Sequence, residues 1–325
     1  MTVFRVLIIG TGSIGQRHIN NIRELDSLTD FVFLRSDQRN DSFSEEMGAR
    51  VVARVADALP LAIDCAVIAN PSALHAKVLL PLIQANIPMY IEKPVVTTSV
   101  EIDSIKNALA KFQYDAATLV GCNLRFLHSL QKVKELLNTG LIGTIARATF
   151  QAGQWLPDWR PEQNYQDSYS ADPALGGGVV LDLIHELDAA RWLLGDFDIV
   201  HSVTAKFAPL AIKSESMACI IMGQSALARI AMIGLDYVSR KPVRRYEFVG
   251  DRGTLIWDCI NMQLQYTGHD QVNSFCEKQD FDVSETYKTA MMEFLSAIKN
   301  GNATSLDIHE GLKTTELAIR AKRNL

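Results

Sequence analysis

Cysteine is scarce in this 325-residue chain and shows no pairing pattern: Cys65, Cys122, Cys219, Cys259 and Cys276 are scattered, with no C-x-x-C among them. That spacing excludes a disulfide framework and a zinc ribbon, and predicts small core residues kept reduced. No grouping of ligand-type residues points to a metal. A long basic run is missing as well, and the net charge is -5, so a nucleic-acid partner is excluded. The local cluster Arg240, Lys241, Arg244 and Arg245 reads as a solvated hairpin. No apolar run approaches the roughly eighteen residues of a membrane helix, so no membrane span is expected. The N-terminus lacks a basic region followed by a long apolar core, so a cytoplasmic protein is expected. Repeats and low-complexity tracts are lacking too. What is present is an ordinary globular composition, 48% hydrophobic and 21% charged, in a chain long enough for two domains.

The strongest local signal is at the start. Val6–Ile9 is an apolar, β-branched run too short for a helix, and reads as a buried parallel strand. Gly10, Gly12 and Gly15 follow with G-x-G-x-x-G spacing, and a helix is predicted over about residues 14–24. In that setting the first glycine permits a tight turn, the second admits a pyrophosphate, and the third lets helix and strand pack closely. Ser13 and Ile14 lie where the helix would aim unpaired N–H groups at phosphate. A second strand, 31–34, ends at Arg35 and Ser36, about twenty residues after Gly15, where the adenosine ribose is read. Arginine and a hydroxyl suit a 2′-phosphate and favour NADP over NAD, whereas Asp37 could swing in and reverse that choice. Arg35 could also be a solvated strand-end charge.

A short third strand is expected at 51–52 and a central fourth one at 64–69. Asn70 and Pro71 break the fourth strand, and His75 opens the next helix, either on the cofactor wall or as a satisfied helix-face histidine. Strand five, 88–91, runs straight into Glu92-Lys93-Pro94. Proline restricts the residue before it to extended conformations, so Lys93 is aimed at the mouth of the sheet. A sixth strand, 118–122, precedes Asn123-Leu124-Arg125-Phe126.

With these residues the chain resembles the glucose-fructose oxidoreductase / inositol dehydrogenase / rhizopine-catabolism (Gfo/Idh/MocA) family of nicotinamide-dependent sugar oxidoreductases. The resemblance rests on Gly10 to Gly15, Asn70-Pro71 with His75, Glu92-Lys93-Pro94, and the segment from Asn123 to Phe126, where Cys122 replaces a common tyrosine. It implies that Lys93 lies beside the nicotinamide and assists hydride transfer. It also implies an α/β Rossmann domain, residues 1–122, followed by an α+β domain, 123–325, with a large, mainly antiparallel open sheet. The second domain would bind substrate and make a homodimer or homotetramer through that sheet.

In the second half, Trp155, Trp159, Tyr165 and Tyr169 suit stacking on the apolar face of a sugar, or pack down on the sheet. Asn123 and Arg125 join Trp155, Trp159, Tyr165 and His185 as candidate substrate contacts. Gly176-Gly177-Gly178 leads into Asp182, His185 and Asp188, three apart, a spacing that shares one face of a helix. The family resemblance carries the catalytic base to His185, with Asp182 or Asp188 orienting it, although the family commonly has Asp and His four apart. The expected activity is hydride transfer between NAD or NADP and a hydroxyl or carbonyl carbon of a sugar, sugar derivative or cyclitol. Lys93, His185 and Asp182 would be catalytic. Two alternatives stay open: a redox-neutral NAD-dependent glycosidase, and a catalytically silent nucleotide-binding protein.

Overall fold

The computed structural model describes residues 4–37, 39–269 and 271–323. The chain forms two compact units, one of residues 1–122 with 287–313 and one of 123–286 with 314–325.

In the first unit β1 (Arg5–Ile9), α1 (Ser13–Leu25), β2 (Asp30–Leu34), α2 (Ser42–Glu46), β3 (Arg50–Val52), α3 (Val55–Ala58), β4 (Cys65–Ile68), α4 (His75–Gln84), β5 (Met89–Ile91), α5 (Ser99–Lys111) and β6 (Thr118–Val120) alternate along the chain. The strands form one parallel sheet in the order β3-β2-β1-β4-β5-β6, with Val6 level with Phe31 and Cys65. Consecutive apolar residues, Val6 to Ile9 and Cys65 to Ile68, are all buried, as a sheet covered on both faces requires. Reciprocal capping boxes start α2 (Asp41 with Ser44) and α5 (Thr98 with Glu101). The α2 turn was not expected from the sequence.

A single division at residue 122 does not hold for the end of the chain. Residues 304–308 run along β6 instead: Val120 N–H donates to Leu306 C=O at 2.9 Å and Ile308 N–H to Thr118 Oγ1 at 2.9 Å. They cover an edge strand that would otherwise present unpaired backbone groups. Gly311 lies so close to Val120 and Val95 that a Cβ there would strike both. Hydrogen bonding, not chain order, assigns 287–313 to this unit.

The second unit contains α6 (His128–Asn138), β7 (Ile145–Gly153), α7 (Val179–Asp182), α8 (His185–Leu194), β8 (Asp198–Ala205), β9 (Met217–Gln224), β10 (Arg229–Asp236), β11 (Val243–Gly250), β12 (Gly253–Asp258), β13 (Gln263–Thr267) and β14 (Val272–Ser274). The helices α9 (Ser284–Asn300) and α10 (Ile308–Ala321) close the chain. The eight strands lie in the order β14-β13-β12-β11-β7-β10-β9-β8, antiparallel except for the β7–β10 pair. Side chains alternate: Phe150, Tyr246, Phe248, Leu255 and Trp257 point inward, with ring centroids of Phe150–Tyr246 and Tyr246–Trp257 4.8 and 4.6 Å apart. On the opposite face Val203, Ile221, Ile230 and Met232 are exposed. Cys219 lies in the same outward row and is exposed, contrary to the core position expected of it, because the two-residue period of β9 turns it away from Ala218 and Ile220.

The basic cluster is solvated only in part, at the exposed Arg240 and Lys241, and it is not a hairpin, since β10 and β11 both pair with β7. Arg240 stacks 3.7 Å over Trp155, Arg244 Nε lies 2.8 Å from the fully buried Glu186, and Arg245 pairs with Glu247 at 3.0 Å. Arg125 and Asp188 form a buried two-pronged pair, both contacts 2.7 Å. Thr314 Oγ1 donates to the same carboxylate at 3.2 Å and accepts from Arg191 at 2.7 Å. Removing one partner of such a pair strands the other charge in the interior. Arg125→Ala should therefore lower the unfolding free energy by about 3–5 kcal/mol, read by urea denaturation. A loss no larger than that of an exposed arginine would show that the pair carries no such load.

Candidate functional site

In the first unit the carboxyl ends of β1, β2, β4 and β5 lie on one edge, and strand order reverses between β1 and β4, where ligands bind in such sheets. A cleft of about 750 Å³ opens there, bounded by Gly10, Thr11, Arg35, Asp41, Asn70 and Lys77. Gly10 has φ +94°, and a Cβ on it would lie 2.6 Å from Asn70 N and 2.7 Å from the Ala69 carbonyl carbon. A Cβ on Gly15 would strike the Gly10 carbonyl oxygen. Gly12 differs: no protein atom lies within 4 Å of the place its Cβ would take. The first and third glycines thus serve the fold, and the second keeps backbone open toward the cleft.

Helix α1 begins at that opening. Its first internal bond runs from Gln16 N–H to Gly12 C=O at 2.9 Å, its N-cap is Gly12 without a side-chain cap, and its first turn has no acidic residue. The N–H groups of Ser13, Ile14 and Gly15 therefore precede the intrahelical ladder. This cradle fits a dinucleotide pyrophosphate: exposed donors, a favourable dipole end and a glycine where a side chain would intrude.

Behind the cradle, His18 Nε2 lies 2.8 Å from Glu92 Oε1, both residues buried, and the His18 ring packs on Tyr90 with centroids 4.6 Å apart. Gly121 makes room for that carboxylate, since a Cβ there would come within 3.1 Å of it. Glu92 thereby ties α1 to the end of β5 and fixes the backbone from which the half-buried Lys93 projects. His75 is fully buried, with Nε2 2.9 Å from Asn70 C=O and Nδ1 3.1 Å from Val95 C=O. It is a brace between the loops after β4 and β5 rather than a face of the cofactor wall. Asn70 and Pro71 reach the surface there, and Ser36 is exposed at the end of β2.

In the second unit the glycine run does not start one continuous helix. Gly178 takes φ +115°, a Cβ on it would meet the Glu215 carboxylate, and α7 ends at Asp182 before α8 begins at His185. The expectation of one shared helical face for Asp182, His185 and Asp188 therefore fails. Each acid has its own partners: Asp182 Oδ2 accepts from Ser170 Oγ at 2.5 Å and Tyr237 Oη at 2.9 Å, Glu186 accepts from Tyr246 Oη at 3.1 Å, and Asp188 holds Arg125. Asp188 is thus a structural anion. Burial, then the Asp182 charge, pushes the Tyr237 phenol well above its ordinary range, so it stays a donor to Asp182.

The Trp159 ring meets Tyr237 edge-on at 5.3 Å, and Trp159, Tyr165, Ser168 and Ser170 line one small hollow. Two of the expected aromatics are therefore gathered around Asp182 through Ser170 and Tyr237. Trp155 instead lies under Arg240. Asn123 and Arg125 are buried, with Asn123 Nδ2 donating to Thr286 Oγ1 at 2.7 Å, so both brace the unit instead of presenting polar groups at its surface. Ser170, Tyr237, His18 and Asp41 were not singled out from the sequence. Only Asp41 had a local signal, its D-x-x-S spacing at a helix start.

Residues 4–115 match the family model described as oxidoreductase family, NAD-binding Rossmann fold, and residues 130–256 match the GFO/IDH/MocA C-terminal domain. The chain belongs to the Gfo/Idh/MocA oxidoreductase family. It is 26% identical to the oxidoreductase YrbE of Bacillus subtilis (strain 168), covering 98% of this chain and 93% of that protein. It is 22% identical to a myo-inositol 2-dehydrogenase of Thermotoga maritima, covering 99% and 96%. The solved levoglucosan dehydrogenase complex with NADH and levoglucosan has the same fold, with a TM-score of 0.83 at 17% identity over 98% of this chain and 97% of that one. Among the described residues no helix is long and apolar enough to cross a membrane.

The His75 brace gives this family member a pH signature. Burial, the dominant cause, pulls its proton affinity below that of an ordinary histidine. The unfolded chain then binds more protons than the folded one below the ordinary histidine pKa of about 6.5, so stability present above that pH is lost as pH falls through it. The thermal midpoint should drop between about pH 7.5 and 5.5, and the drop should be smaller in His75→Gln. Equal drops in both proteins would remove His75 as its source.

Proposed function

We propose that the chain moves a hydride between a nicotinamide dinucleotide and a carbon bearing a hydroxyl or carbonyl group in a sugar, sugar derivative or cyclitol. The observation that carries this reading is the turn from Gly10 to Gly15, where two glycines are required by the protein's own backbone and Gly12 is required by nothing within 4 Å. Sugar-type and cyclitol substrates in the names of the relatives support the substrate class. When bound, the nicotinamide ring supplies the hydride acceptor or donor.

In the oxidising direction His185 takes the hydroxyl proton and Lys93 stabilises the developing alkoxide with its positive charge. Asp182, locked by Ser170 and Tyr237, keeps the start of α8 in place as a positioning residue. Trp159 and Tyr165 offer apolar faces for the sugar ring. Five cysteines outside any disulfide fit the reducing cytoplasm. The outward apolar row of β8 to β10 is the surface for a homodimer or homotetramer.

Purified enzyme screened against sugars, sugar nucleotides and cyclitols should show net change at the nicotinamide absorbance with at least one class. With that substrate His185→Ala should lower kcat by about 10²–10⁴ and Lys93→Ala by about 10²–10³, while dinucleotide binding persists. Turnover without net nucleotide reduction would favour the glycosidase, and undiminished turnover in both variants would remove the assigned roles. Replacing Ile221 and Met232 together by Lys should reduce the mass seen by light scattering to that of one chain. An unchanged mass would move the interface elsewhere.

A further inference from the structure

At the end of β2 an arginine stands where the adenosine ribose is read, and its side chain is already engaged. Arg35 N–H donates to Val52 C=O at 2.9 Å, which fixes its backbone beside β3. Nη2 donates to Thr11 Oγ1 at 3.0 Å, inside the glycine turn. Nη1 lies 2.7 Å from Asp41 Oδ2 and 3.2 Å from Arg39 C=O. The Arg35 side chain is only 14% exposed, whereas the Asp41 side chain is 43% exposed and borders the cleft.

Asp41 is itself locked. Its Oδ1 accepts from Ser44 N–H at 2.9 Å while its own N–H donates to Ser44 Oγ at 2.9 Å, the two halves of the box that starts α2. Swinging the carboxylate away from Arg35 would uncap that helix. Arg35, and next the Ser44 backbone, hold the Asp41 carboxyl down to about 2, so it is charged at any physiological pH.

We propose that Asp41, paired with Arg35, selects NAD(H) over NADP(H), making the end of β2 a site for the ribose diol and closing it to a 2′-phosphate. This rests on the dinucleotide reading above and reverses the preference for NADP that Arg35 and Ser36 suggest in the sequence. A phosphate is held well by two N–H groups on one edge of an unmatched guanidinium. Here the terminal nitrogens point to Thr11, Arg39 C=O and Asp41, and the cation is already matched by an anion. A second phosphate charge would lie next to that carboxylate, a like-charge contact that specificity commonly exploits. Ribose hydroxyls need an acceptor instead, and Asp41 provides one on the cleft side. Of the remaining rim charges, Arg39 is largely exposed and lies 3.7 Å from Asp37, which offsets its charge, and Lys77 stands on α4.

The test is a fluorescence titration of the full-length protein with NADH and with NADPH. Wild type should bind NADH at least about tenfold more tightly. Asp41→Asn and Asp41→Ser both keep a helix-capping side chain and remove the charge. Each should narrow or invert the ratio by about tenfold or more, chiefly through tighter NADPH binding. Adding Arg35→Ala to Asp41→Asn should abolish the gain in NADPH affinity. Circular dichroism and the thermal midpoint report whether each variant is folded, and the wild-type ratio stands without them. Preference of wild type for NADPH, or an unchanged ratio in folded Asp41→Asn and Asp41→Ser, would overturn the proposal while leaving the dinucleotide reading intact. Failure of wild type to bind either nucleotide would overturn both.

Discussion

The close approach of two backbones at the carboxyl ends of β1 and β4 is the constraint on which the first unit depends. Gly10 lies against Ala69 and Asn70 with no room for a side chain, and Gly15 lies against Gly10. These contacts bring the start of α1 to the point where strand order reverses. There its leading N–H groups, which no helix can satisfy internally, face the cleft. His18 and Glu92 then fasten the same helix to β5, so the glycine turn and the backbone of Lys93 are held by one framework. Buried His75 does the same for the loops after β4 and β5.

In the second unit the organising principle is the separate matching of neighbouring acids. Asp182, Glu186 and Asp188 lie within seven residues, yet each is compensated by a different element: Ser170 and Tyr237, Tyr246 and Arg244, and Arg125 with Thr314. Glu186 and Asp188 are buried, and carboxylates this buried are tolerated only with such partners. The matching of the three acids ties α7 to the residue after β10 and α8 to β11, and α8 carries His185 in its first turn. The break between α7 and α8 separates Asp182 from the other two acids, which both lie on α8.

The architecture was legible in the chain because its signals are local. Short apolar runs ended by glycine or Asn-Pro mark β1 and β4. The glycine turn and the sequence position of Lys93 followed from strand-then-loop order. Misreadings occurred where a side chain's meaning depends on a distant partner. Arg125, Asn123 and Arg244 are polar residues whose bonds are made inside the fold, and nothing in their immediate neighbours says so. Cys219 was misplaced for a related reason, because composition does not reveal which face of a strand is covered.

The sequence by itself determined the two-unit plan, the parallel sheet with its glycine turn, the strand-rich second half and the family. The sheet and its turn follow from periodicity and backbone chemistry over stretches of a few to a dozen residues, and the family, with the strand-rich second half it implies, from the motifs that carry the resemblance. Only the tertiary structure decided which charges face the cleft and which are consumed as braces, and that residues 287–313 return to seal β6. Ion pairs and strand edges are satisfied by whatever the fold brings near. The partner of Glu92 is seventy-four residues away, that of Arg125 sixty-three and that of Thr118 one hundred and ninety.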